Sequence, residues 1–199
     1  MTHYKFDEQA VAEYYERRKQ YIKFGLNPYQ NAEYVFSISK PIVGTILEVG
    51  TGRGLVTSFF ARETALVTVD IDKEIQSFAK ALTKSESVFD NITFLIRDIL
   101  KEPYPDNSFN MVISANAVHH FEEPEKIITA MCKIAERKVV IADFSQEGFD
   151  ILDKIHKAEG DTHGRGTFSI DEVGEVMIKM GFKTSRHEKL QTIVYCGEK

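Results

Sequence analysis

Three glycines at alternate positions, Gly50-Thr51-Gly52-Arg53-Gly54, follow directly on the apolar run Thr45–Val49 and open the amphipathic stretch Leu55–Arg62. Glycines there permit a tight turn, let a ligand approach the backbone, and leave amides at the helix start to face an anionic group. A glycine-rich turn alone also marks any tight strand-to-helix connection; here the flanking strand and helix supply the context a ligand loop requires. Asp70 ends the next apolar run, 20 residues after Gly50. A carboxylate there can accept hydrogen bonds from both hydroxyls of a ribose. Alternatively, with Asp72, it supplies the acidic start of the helix that follows. Asp98 closes Phe94-Leu-Ile-Arg-Asp98 on the rim where α/β sheets bind ligands. It can accept from an adenine amino group, with Ile99 adding an amide and an apolar wall, or pair with Arg97 as a plain turn carboxylate; the residue itself leaves both open.

Two adjacent histidines, His119 and His120, fall just past the fourth apolar run, on the same rim. Imidazole is the side chain best suited to proton transfer near pH 7, so both are candidate bases. The alternative has one capping the following turn and the other packing beneath a cover. His156, His163 and Arg165, among several glycines, could form a substrate-facing lid or an ordinary solvated loop. No histidine pair has the i, i+4 spacing of a helical metal site, and no metal is expected. Tyr14, Tyr15 and Tyr21 form an aromatic stripe that reads equally as a helix core face and as a cover over a cofactor.

These residues need elements to hold them. Thr45–Val49, Leu66–Val69, Ile92–Ile96, Met111–Ser114 and Val139–Ala142 read as buried strands; Leu55–Arg62, Lys73–Thr83 and Pro124–Ala135 space their apolar residues as helices do. Such alternation predicts βαβ units and a parallel sheet covered on both faces. Helices are expected over residues 7–24, Tyr29–Ser39 and Glu147–Ala158. Another should start at Ser169, with Glu172 completing a capping box, and end at Gly181. Strands over Phe182–Glu188 and Leu190–Cys196 complete the chain.

Composition narrows the function further. The 199 residues are 43% hydrophobic and 28% charged, with a net charge of −5. One well-buried core is expected, and a broad grip on nucleic acid is not. No apolar run approaches 18 residues and Met1–Asp7 is polar, so neither a membrane span nor a signal peptide is expected. Cys132 and Cys196 form no CxxC pair and suit two buried thiols in a reducing, cytoplasmic setting.

Taken together the motifs resemble the class I, Rossmann-like S-adenosylmethionine-dependent methyltransferases, in particular the small-molecule branch that includes the ubiquinone/menaquinone-biosynthesis methyltransferases. The resemblance rests on Glu48-x-Gly50-x-Gly52-x-Gly54, Val69-Asp70-Ile71-Asp72, Arg97-Asp98-Ile99, Glu102-Pro-Tyr-Pro-Asp-Asn-Ser-Phe109 and Asn116-Ala-Val-His-His-Phe121. It covers about residues 40–144; Asn110 departs from the aspartate usual in the family. It implies a doubly wound α/β fold with a seven-stranded mixed sheet of order 3-2-1-4-5-7-6, strand seven antiparallel. Residues 1–40 would form an N-terminal helical cap, 41–144 the cofactor core, and 145–199 the C-terminal helices and strand pair of one domain. It further implies that Gly50, Thr51 and Gly52 lie against the methionine part of S-adenosylmethionine, and that Glu48 orients the loop or reaches the amino group. Asp70 and Ile71 would hold the ribose, Asp98 and Ile99 frame the adenine, and backbone near Asn116 meet the amino group. The expected activity is methyl transfer to a small-molecule acceptor that nothing in residues 1–40 or 145–180 names. Two rivals are a non-catalytic protein that binds the same cofactor and a nicotinamide-dependent oxidoreductase. A dinucleotide fingerprint would place its third glycine at position 55, where Leu55 stands.

Overall fold

Valine, isoleucine and leucine are concentrated in the buried stretches of the parallel strands, as strands covered on both faces require. In the computed structural model, which describes residues 8–162, 164–166 and 168–199, they form β1 (Ile46–Val49), β2 (Leu66–Asp70), β3 (Ile92–Ile96), β4 (Phe109–Ala115), β5 (Ala135–Phe144), β6 (Lys183–Lys189) and β7 (Thr192–Glu198). The polar Met1–Asp7 segment and His163 lie outside the described residues. The helices are α1 (Glu8–Lys23), α2 (Pro28–Ser39), α3 (Leu55–Ala61), α4 (Lys73–Ser85), α5 (Pro124–Ile134), α6 (Gln146–Ala158) and α7 (Ile170–Lys179). The sheet runs β3-β2-β1-β4-β5-β7-β6. The first five strands pair in parallel, and β7 lies antiparallel between β5 and β6.

Alternation along each strand divides the core between the two faces. Leu47 and Val49 of β1, Val112 of β4 and Val139 and Ile141 of β5 pack with Ile128 and Met131 of α5 and Val173 and Met177 of α7. Ile46, Met111, Ile113, Val140 and Ala142 pack on the opposite face, with Val35 and Phe36 of α2 and Phe60 of α3. Each such side chain contributes about 1.5–3 kcal/mol on burial. Among the described residues, no helix is long and apolar enough to cross a membrane.

The capping box is present: Ser169 accepts from the amide of Asp171, and its own amide donates to Glu172. The terminal hairpin corrects one expectation. Leu190 and Gln191 are not strand but a two-residue turn with φ of 54° and 61°, between the paired Lys189 and Thr192. Two left-handed residues give a hairpin the twist its strands need; asparagine and glycine usually supply them, and Leu-Gln carries no such signal.

Candidate functional site

The carboxyl ends of β1, β2, β4 and β5 meet the glycine loop, and the candidate residues gather there. Gly50, Gly52 and Gly54 all have positive φ (85°, 51° and 83°), which only glycine adopts without strain. A side chain on Gly50 would strike Ala117 at 2.8 Å, and one on Gly54 would strike Ala79 at 2.9 Å. Over Gly52 nothing lies within 4 Å. The loop is thus pressed into the fold at both ends and open in its middle.

The first amides of the loop turn inward. Those of Gly50 and Thr51 donate to the carbonyl of Val69 at 2.9 and 3.2 Å, and that of Gly52 donates to Asp70 Oδ2 at 2.9 Å. Gly54 donates to the Thr51 carbonyl. These four amides are already bonded inside the protein and are not offered to a ligand.

Glu48 is fully buried on the α3 side of β1, and the hydroxyls of Thr57 and Thr68 both donate to its Oε2 at 2.6 Å. Thr68 spends its proton on Glu48, so Thr51, 2.6 Å away, donates to Thr68. The chain pins loop, β2 and α3 together. Burial pushes the Glu48 carboxyl up to about 7, against the lowering effect of its two threonine bonds. Glu48 and the Thr51 side chain therefore serve the interior, and what Thr51 offers a ligand is backbone.

Asp70 and Asp72 divide the work between them. Asp72 is the N-cap of α4, accepting from the amides of Glu74 and Ile75, so Asp70 is not needed there. Asp70 accepts from Gly52 and, through Oδ1, from the Asp72 amide at 2.9 Å. A carboxylate has about four acceptor positions, which leaves room for two hydroxyl donors. Ile71 beside it is 74% exposed, and Ile75 and Ile96 add exposed apolar surface nearby. Asp98 accepts from the amide of Leu100 at 2.9 Å and pairs with Lys101 at 3.0 Å, not with Arg97. Those two bonds hold its carboxyl below the usual range. The Ile99 side chain is buried in the core with Val49 and Val69, so it does not form a wall open to a ligand.

At the other side of the loop, Asn116 has a left-handed φ of 54°, and its Oδ1 is buried without a hydrogen-bond donor among the described residues. Ser114 Oγ is in the same state. His119, on a short 3-10 turn (Val118–His120), is buried, and its Nδ1 lies 2.7 and 2.9 Å from the two oxygens of Asp143. Its amide also donates to Asp143 at 3.0 Å. An ionised carboxylate only accepts, so Nδ1 carries the proton and Nε2 is the basic nitrogen. Asp143, near the end of β5, went unnoticed in the sequence, although it breaks an apolar strand as Asp70 does. His120 is exposed; crowding and the His119 ring, 4.0 Å away, lower its proton affinity. Gly166 lies against the His119 backbone, and Arg165 is paired with Asp150 at 2.9 Å and with Asp153, which ties this loop to α6. His156 lies 3.7 Å from Asp161. No metal-binding cluster occurs among the described residues.

Comparison with known proteins agrees with this geometry. Residues 46–138 match a family model described as a methyltransferase domain. The chain is 26% identical over 145 residues to the ubiquinone/menaquinone biosynthesis C-methyltransferase UbiE of Rickettsia akari, covering 68% of this chain and 58% of that protein. It is 27% identical over 108 residues to ajmaline N-methyltransferase of Rauvolfia serpentina, covering 53% and 37%. The chain thus spans about half the length of the curated relatives it matches. Its fold is shared with a SAM dependent methyltransferase from Aquifex aeolicus (TM-score 0.66, 19% identity, 91% and 97% of the two chains). It is also shared with magnesium protoporphyrin IX methyltransferase of Synechocystis PCC 6803 with bound SAH (TM-score 0.65, 14% identity, 97% and 100%). Residues 46–138 therefore match a methyltransferase domain, are similar to the ubiquinone/menaquinone C-methyltransferases, and lie in a fold shared with S-adenosylmethionine-dependent methyltransferases.

Proposed function

We propose that the protein transfers the methyl group of S-adenosylmethionine to a small-molecule acceptor in the cytoplasm, with residues 41–144 as the cofactor core. The observation that carries this is the open centre of the glycine loop at Gly52, flanked by Asp70 with acceptor positions to spare and by the donorless Oδ1 of Asn116. The ligand that fits brings donors to both: ribose hydroxyls for Asp70 and an ammonium for Asn116. The exposed Ile71 gives a purine an apolar face. A dinucleotide brings a pyrophosphate, for which the loop has no amides free at Gly50, Thr51 or Gly52.

The bound cofactor supplies an electrophilic methyl group, so the protein's task is alignment and exclusion of water. Asp70 and the loop fix the nucleoside end. His119 stands by as the base for an acceptor that must lose a proton, with Asp143 holding its ring so that Nε2 is the accepting atom. α1 covers the cleft. Calorimetry with S-adenosylhomocysteine and NAD tests the reading: micromolar binding of the first and none of the second is expected, and the reverse overturns it. Labelled S-adenosylmethionine incubated with a metabolite extract then identifies the acceptor.

A further inference from the structure

The turn between β6 and β7 holds Leu190 and Gln191 at left-handed φ of 54° and 61°, a conformation that costs stability in any residue with a side chain. A two-residue hairpin asks this geometry of whatever residues occupy it. Its effect here is to aim the Gln191 carbonyl at the start of α6, where it accepts from the Ser145 amide at 2.9 Å. Ser145 is the N-cap of that helix, and its hydroxyl accepts from the Gly148 amide at 3.3 Å. Gly148 has no room for a side chain: a Cβ would lie 2.6 Å from the same Gln191 carbonyl oxygen and 3.1 Å from Phe144 Cβ. Turn and helix therefore meet backbone to backbone, without slack.

The groups this contact fixes surround His119. Phe149, the residue after Gly148, sets its ring edge-on to the imidazole, with centroids 5.3 Å apart and planes at 87°. The Phe144 ring lies 5.9 Å from the imidazole and 5.7 Å from Phe149. Asp143, which holds Nδ1, pairs with Ile193 across the sheet, and Phe144 pairs with Thr192. Thr192 and Ile193 are the first two residues of β7 after the turn. One side of the turn thus sets Asp143 and Phe144 through β7, and its carbonyl sets Phe149 through α6. Packed interiors transmit such small displacements because side chains interdigitate with few voids.

We infer that the Leu190-Gln191 turn is a positioning element for His119: its carbonyl seats α6, and α6 with the end of β5 fixes the imidazole in the orientation from which Nε2 meets the acceptor. This role rests on the methyltransferase reading, in which His119 takes a proton from the acceptor. The turn touches neither cofactor nor acceptor and acts through Gly148 and Phe149. A base displaced by about 1 Å costs on the order of 10²-fold in rate, so a contact this tight, one residue from a ring against the base, bears on turnover.

Three variants of the full chain test it, each checked for folding by thermal melts: Gly148→Ala, a single glycine inserted between Leu190 and Gln191, and Leu190→Asn with Gln191→Gly. The last keeps the left-handed turn and its carbonyl. The readouts are the His119 imidazole proton resonances by NMR, S-adenosylhomocysteine binding by calorimetry, and labelled methyl transferred from S-adenosylmethionine into a metabolite extract. Gly148→Ala and the insertion should move the His119 resonances out of the field of the two phenyl rings. Labelled product should fall by about tenfold or more with S-adenosylhomocysteine binding unchanged. The Asn-Gly variant should keep the wild-type values of all three. The role is overturned if folded Gly148→Ala keeps wild-type resonances or wild-type product, or if the Asn-Gly variant loses as much as Gly148→Ala does. Should Gly148→Ala fail to fold, the insertion is held to the same criteria. Wild type that neither binds S-adenosylhomocysteine nor forms labelled product sinks the methyltransferase reading, and the resonances alone then decide whether the turn seats the imidazole.

Discussion

Glu48 holds its carboxyl near 7 because burial outweighs two threonine bonds, and that has a consequence for stability. Its folded pKa lies above the ordinary 4.5, so the folded state keeps a proton that the unfolded chain has released. Stability from this group is complete below about pH 4.5, falls as pH rises to about 7, and is flat above, a loss on the order of 3 kcal/mol. Glu48→Gln keeps an oxygen for Thr57 and Thr68 and has nothing to ionise. Relative to wild type it should gain on that order between pH 4.5 and 8 in urea unfolding; a variant with the wild-type pH slope contradicts the assignment. Asp70→Ala removes an acceptor that serves both Gly52 and the ligand. S-adenosylhomocysteine binding should weaken by about 1.5–3 kcal/mol, the range for hydrogen bonds to a charged group; unchanged affinity in calorimetry would leave Asp70 a loop residue only. The His119–Asp143 pair predicts a kinetic signature. With the acceptor in hand, His119→Gln should slow turnover roughly 10²–10⁴-fold, the contribution of a positioned base. Asp143→Asn should also lower turnover, with little change in cofactor affinity. Near-normal rates in both would make the pair a latch between β4 and β5.

At the scale of elements, the hairpin turn at Leu190-Gln191 is the place where local sequence and required geometry disagree. Each left-handed residue other than glycine costs roughly 1–2 kcal/mol. Replacing the pair by Asn-Gly should therefore stabilise the protein by on the order of 1–3 kcal/mol, read as a rise in melting temperature of roughly 2–4 °C per kcal/mol for a chain of this size. No rise would mean that side-chain contacts of Leu190 or Gln191 offset the strain. The same turn shows where sequence reading stops. Buried strands rich in Val, Ile and Leu announce themselves, and the order of all seven is what the family resemblance implies. Strand ends do not: β5 begins at Ala135 because that residue pairs with Phe109 of β4, while the Arg137 carbonyl accepts the Lys199 amide and Lys138 pairs with Glu198, all partners distant in sequence. Asp70 was legible because a motif spacing pointed to it. Asp143 was not, since its role exists only through His119, on the short turn that follows β4.

At the scale of the whole molecule, α1 stands apart from the main core. Val11 and Tyr14 pack with Phe78 and Leu82 of α4, and Tyr21 packs with Leu26 and with Leu152 and Ile155 of α6, in two clusters separate from those on the sheet faces. The helix is thus docked on two others and fastened by Arg17 to Glu159, while the sheet closes its core without it. Deleting residues 1–24 should leave a sheet with its secondary structure intact by circular dichroism. The melting temperature should fall, because three buried side chains are lost at about 1.5–3 kcal/mol each. S-adenosylhomocysteine should dissociate faster if α1 covers the cleft as proposed. A truncated chain that unfolds entirely would make α1 part of the core. One that binds and turns over as the full chain does would show that α1 is no cover over the cofactor.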